Sequence, residues 1–76
     1  MEISKFVEQF AEQFEDTEVG VFEPSTKFKD LDEWSSLVAL SVIAMIDDEY
    51  DVVLKGDEIR GAETIEDLFN VVKSKL

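Results

Sequence analysis

Apolar positions recur with helical spacing in three separate stretches of the chain. The first contains Ile3, Phe6, Val7, Phe10 and Phe14, with Glu8, Glu12, Gln13 and Glu15 on the opposite face. It predicts an amphipathic helix over about residues 2–15. Periodicity is then lost through residues 16–35, where Gly20, Pro24 and Ser25 punctuate the chain and Pro24 excludes a continuous helix interior. So long a connection needs anchoring. Val19, Val21, Phe22, Phe28 and Leu31 are the residues expected to pin it to the core, and it has room for a short helical turn.

Ser35-Ser36 opens the second periodic stretch, in which Leu37, Leu40 and Ile43 recur at three-residue spacing and Val42, Ile46 and Tyr50 at four. The resulting stripe is wide, so this helix, about residues 36–50, is expected to lie centrally and touch several others. It ends in the acidic cluster Asp47, Asp48, Glu49 and Asp51. Val52-Val53-Leu54 reads as an extended connector, too short and isolated for a sheet. Residues from Gly56 to Arg60 can wind one or two helical turns before Gly61 stops them. Thr64 is a good N-cap, and Asp67 three residues on makes a variant of the capping box. Ile65, Leu68, Phe69, Val72 and Leu76 then form the apolar stripe of a last helix, about residues 64–75, with Lys73 and Lys75 at its C-terminal, dipole-negative end. The expectation is one domain over residues 1–76, all-α: a small four-helix bundle of three main helices and one short one, with a long first loop.

Composition narrows the chemistry. There is no cysteine, so neither a disulfide nor a thiolate metal site can staple the fold, and stability must come from the 45% of residues that are hydrophobic. There is no histidine, which removes the usual general base and every triad built on it. Nineteen acidic against seven basic residues leave a formal net charge of −12. Such a surface repels nucleic-acid backbones and anionic lipid, and attracts basic protein partners. The opening Met1-Glu2-Ile3-Ser4-Lys5 lacks the apolar core of a signal peptide. The longest apolar run, Leu37 to Ile46, is interrupted by Ser41 and is too short to cross a bilayer. A monomeric cytoplasmic chain without membrane insertion is expected.

Carboxylates abound but fall on polar faces, and Ser35 and Ser36 have no Lys or His beside them in sequence to act as a base, so no enzyme activity is expected. Asp47, Glu49, Asp51 and Glu58 occupy four liganding places of a calcium-loop pattern. The place requiring a glycine turn holds Val52, however, and no metal site is expected. A serine hydroxyl at a helix start is exposed and suited to capping, and either Ser35 or Ser36 can fill that role.

From Thr26 to Leu37 the chain reads Thr-Lys-Phe-Lys-Asp-Leu-Asp-Glu-Trp-Ser-Ser-Leu. This segment resembles the acyl carrier protein family, whose pattern is Thr-x-Phe-x-x-Leu, a short turn, and Asp-Ser-Leu opening the second helix. Phe28, Leu31, Ser36 and Leu37 stand in the matching places. The resemblance continues through Leu40, Ile46, Glu49 and Tyr50 and through Gly61-Ala62-Glu63-Thr64-Ile65-Glu66-Asp67-Leu68. It spans essentially the whole chain; the order of the motifs, more than any one of them, carries it. It implies a 4'-phosphopantetheine arm, derived from coenzyme A, on Ser36, with Ser35 the lesser candidate. It further implies acyl intermediates held as thioesters for fatty-acid or related biosynthetic enzymes.

The partners implied are a phosphopantetheinyl transferase and acyl-transfer or synthase enzymes with basic docking patches. They would meet Asp32, Glu33, Trp34, Leu37, Val38 and Ser41. The chain departs from the pattern at Ser35, where the family carries Asp, and at Val38, Ala39 and Ser41, where many members are acidic or polar. The departures leave the reading of a carrier-like interaction module that is never loaded, and a peptidyl carrier, which would share Ser36 and the arm, is a further alternative. For a loaded acyl group, the expected shelter is an expandable cleft between the second helix and the short third one. Its lining would be Leu40, Val42, Ile46, Leu54, Ile59 and Ala62, with Phe69 and Val72 beneath.

Overall fold

The computed structural model describes residues 2–76. Its elements are α1 (Ile3–Ala11), α2 (Ser36–Tyr50), α3 (Gly56–Gly61) and α4 (Ile65–Ser74), and no strand occurs among the described residues. Within the long first connection lie two 3-10 turns, Val19–Val21 and Phe28–Asp30.

α1 is shorter than its periodicity predicts. After Ala11 the amides of Gln13 and Phe14 bond three residues back, to Phe10 and Ala11, so the winding tightens and stops. This swings Phe14 into an aromatic cluster with Phe10 (ring centroids 5.5 Å apart) and Phe22 (4.9 Å). Burying a third phenylalanine outweighs one more helical turn.

The expected anchors of the first loop divide. Phe22 and Phe28 are buried and Leu31 packs against the core, whereas Val19 and Val21 stay exposed, Val19 at 72%. Main-chain and hydroxyl bonds do the rest of the pinning. The first amides of α4, on Ile65 and Glu66, donate to the carbonyls of Thr26 (3.2 Å) and Pro24 (2.9 Å). These are donors that a helix start leaves without intrahelical partners, so the loop satisfies α4 while α4 holds the loop. Thr64 Oγ1 accepts from the Asp67 amide (3.1 Å), and Asp67 Oδ2 accepts from the amides of Glu63 and Thr64, which completes the capping box. Those bonds hold the Asp67 carboxyl below the usual carboxylate range, the Thr64 amide contributing most.

α1 packs on α2 and α4, and α3 on α4. Phe6, Phe10, Phe28, Val42, Ile46, Ile65, Leu68 and Val72 fill the centre, and among the described residues no polar side chain is buried. The connector alternates as extended chain must: Val52 and Leu54 point inward, and Val53 is 70% exposed. α2 ends on Asp51 in the left-handed region (φ 57°, ψ 38°), its amide bonded to the Asp47 carbonyl at 3.0 Å. A glycine is the common solution there. Glu58 joins α3 to the end of α4: Oε1 accepts from the Lys55 amide (2.9 Å) and Oε2 pairs with Lys75 Nζ (2.9 Å). Among the described residues no helix is long and apolar enough to cross a membrane.

Candidate functional site

The segment that ends the first loop sets the start of α2. Glu33 accepts from the amides of Glu15 (2.7 Å) and Asp16 (3.0 Å) and from Thr17 Oγ1 (2.7 Å). Both carboxylate oxygens are engaged, and they bind the chain leaving α1 to the chain entering α2. The Thr17 hydroxyl is the largest of the influences that hold the Glu33 carboxyl below its ordinary range. Next to it, the Trp34 ring meets Phe28 edge-on at 4.8 Å and lies nearly parallel to Phe10 at 6.5 Å. Contacts of this kind are worth roughly 0.5–1.5 kcal/mol each beyond area burial. The residues before the two serines are thus held from both sides.

The serines divide their roles. Ser35 has extended backbone (φ −156°, ψ 172°) and is the N-cap: its Oγ accepts from the Val38 amide at 3.3 Å. Ser36 is the first residue inside α2, is exposed, and its hydroxyl makes no hydrogen bond to another described residue. Ser35 is therefore the residue that caps α2, and the Ser36 hydroxyl has no part in the cap.

Ser36 lies on the rim of an open cleft of about 520 Å³ between α2, α3 and the first loop. The α2 wall is Ser35, Ser36, Ala39, Leu40 and Ile43; α3 contributes Gly56, Ile59 and Arg60; the loop contributes Lys29 and Trp34. The lining is mostly apolar; its polar residues are the two serines, Lys29 and Arg60.

Of the residues expected to shelter an acyl chain, Leu40 and Ile59 line this cleft. Val42, Ile46, Leu54, Ala62, Phe69 and Val72 are buried in the packed interior. Ala39, Ile43, Trp34, Lys29, Gly56 and Arg60 were not anticipated. Helical spacing marks two of them, because Ser35, Ala39 and Ile43 follow at intervals of four on one face of α2. Nothing local in sequence brings Lys29 to Arg60.

The residues expected to meet partners also separate. Asp32 and Leu37 face solvent, Leu37 at 74% exposure, while Val38 and Ser41 are half-buried. Glu33 and Trp34 are engaged within the chain by the bonds and ring contacts described above. Leu37, Leu40 and Ala44 form an exposed stripe along α2, and the sequence carries no charge from Ser36 to Ile46. Acidic residues bracket the stripe: Asp30, Asp32 and Glu33 before it, Asp47, Asp48 and Glu49 after it. Among the described residues no group of three or more acidic side chains converges as a metal would require.

Comparison of the chain with protein-family models, with curated proteins and with solved structures found no match.

Proposed function

We propose that the protein is an acyl carrier, with a 4'-phosphopantetheine arm attached through Ser36 Oγ. The observation that carries the reading is the exposed, unbonded Ser36 hydroxyl at the start of α2, on the rim of an apolar-lined cleft, with Ser35 beside it already serving as the cap. Two further features support it: the order of motifs along the chain, and the uncharged strip of α2 between acidic ends.

The residues present fit such an arm. A phosphodiester on Ser36 would adjoin the amides of the first turn of α2, where partial positive charge accumulates. When attached, the arm supplies the thiol that this cysteine-free chain lacks, and so the capacity to hold a thioester. Everything else falls to the chain itself. Ser35 and Glu33 fix the backbone that presents the Ser36 hydroxyl. Ala39, Leu40, Ile43 and Ile59 offer apolar wall to cargo. Leu37, Leu40 and Ala44 offer a docking strip to enzymes. The domain carries out no bond chemistry on its cargo; it presents that cargo.

Incubation of the purified chain with coenzyme A and a broad-specificity phosphopantetheinyl transferase tests the proposal by intact mass. One arm increment on the wild type and on Ser35→Ala, and none on Ser36→Ala, is expected. Absence of an increment with several transferases overturns the carrier reading, and an increment retained by Ser36→Ala overturns the site.

A further inference from the structure

Seven cations are spread over this chain, and two of them, Lys29 and Arg60, line the cleft that holds Ser36. They are neighbours: Lys29 Nζ donates to the Arg60 carbonyl, joining loop to helix. The Arg60 guanidinium folds back over Gly56, where a Cβ would stand 3.1 Å from Nη1. Gly56 thus provides the space in which that side chain lies along the cleft. Neither cation forms a salt bridge with a described residue, although the chain has nineteen carboxylates; the one pair among the described residues is Lys75–Glu58. Two cations on one cleft wall with no carboxylate partner favour an anion there. The groove between α1 and the first 3-10 turn provides a contrast. It is similar in size, about 550 Å³, but its charged lining is Glu8 and Glu12, with no cation.

We propose that Lys29 and Arg60 are the receptor for the phosphodiester joining the arm to Ser36, and that they hold the root of the arm against the α2–α3 cleft. The inference rests on the carrier reading above. Phosphate is the anion that covalent chemistry on Ser36 would deliver to this rim, and a guanidinium with an ammonium is the donor set that suits it. The start of α2 also favours an anion, but would do so with or without the two side chains. The two cations add direction: they stand on the cleft side of Ser36, so pairing turns the arm toward Ile59 rather than outward along α2.

The test compares wild type with Lys29→Gln/Arg60→Gln, each in apo and loaded form and each verified by intact mass. The readouts are the phosphorus NMR resonance of the arm and the melting temperature. As sodium chloride rises from about 20 to about 500 mM the phosphorus signal should shift more in the loaded wild type than in the loaded double variant, because screening releases the pair. At low salt, loading should raise the melting temperature of the wild type by about 4 °C more than that of the double variant, a margin lost at high salt. Taking loaded minus apo within each protein removes the stability the variant loses with the Lys29–Arg60 contact. A loaded wild type whose phosphorus signal ignores salt, or two proteins with equal gains, overturns the receptor and leaves the carrier standing. Equal salt shifts in the two loaded proteins likewise overturn the receptor, since the start of α2 then accounts for them, and Arg60→Gln alone takes the place of a double variant that resists loading. A wild type that never loads overturns the carrier reading, and the receptor with it.

Discussion

The sharpest prediction concerns the two adjacent serines, which are both exposed on one cleft but differ in what their hydroxyls bond. Ser35→Ala removes the acceptor that satisfies the Val38 amide, whereas Ser36→Ala removes a hydroxyl that bonds to no described residue. Loss of a serine N-cap costs about 0.5–2 kcal/mol. The 3.3 Å separation is long for such a bond and the site is exposed, so water can take over part of its role. The lower half of that range, about 0.5–1 kcal/mol, is therefore expected. With an unfolding entropy of roughly 2.1 cal/mol/K per residue, a chain of 76 residues changes its melting temperature by about 6 °C per kcal/mol. Ser35→Ala should accordingly melt about 3–6 °C lower than wild type, while Ser36→Ala, with alanine well suited to a helix interior, should melt at or slightly above it. Loading should show the reverse order: retained in Ser35→Ala and abolished in Ser36→Ala. Thermal unfolding by circular dichroism and intact mass on the same two preparations provide both readouts. A Ser36→Ala variant that is the less stable of the two would refute the division of roles, and an unloaded but well-folded Ser35→Ala would move the attachment site or the transferase contact to Ser35.

Three further outcomes follow from the geometry. Glu33, whose carboxyl is held below its ordinary range by Thr17 and the amides of Glu15 and Asp16, contributes stability that is fully present above the unfolded-state value near pH 4.3. That contribution is lost as pH falls through the lower folded-state value. Protonation of the other acids relieves repulsion at the same time, so the readable quantity is the difference between wild type and Glu33→Gln: a gap in melting temperature that is constant from pH 7 to about pH 5 and closes below about pH 4, the idea failing if the gap widens in acid. Asp51→Gly relieves a left-handed residue at the end of α2 and should stabilise the domain by about 0.5–1 kcal/mol in urea unfolding; an unchanged or lower midpoint would show that the Asp51 side chain compensates its backbone. Attachment of a medium-length acyl group should raise the melting temperature and shift the NMR signals of Ile43 and Ile59 while leaving Ile3 and Phe6 unmoved, and cargo that moves none of them stays in solvent.

What sequence alone determined is what near neighbours decide. The Thr64–Asp67 box, the stop before Asp51, the short helix from Gly56 and the extended connector Val52-Val53-Leu54 each depend on residues within about one turn, where spacing and capping chemistry suffice. α1 already shows the limit: its apolar stripe runs to Phe14, but the helix stops at Ala11 because rings from the distant loop, Phe22 and Trp34, make a better place for that side chain than another turn would. Val19 and Val21 look the same in sequence as Phe22 and yet stay outside, since the Thr26 and Pro24 carbonyls tie the loop to α4 in a register that faces them to water. The candidate site divides likewise. Sequence pointed to Ser35-Ser36 and to Leu40 and Ile59, but which serine caps depends on one backbone conformation, and which apolar residues line a cleft depends on which are already committed to the interior. The bond from Lys29 to the Arg60 carbonyl joins residues thirty-one positions apart, and only the packing of loop against α3 brings them together.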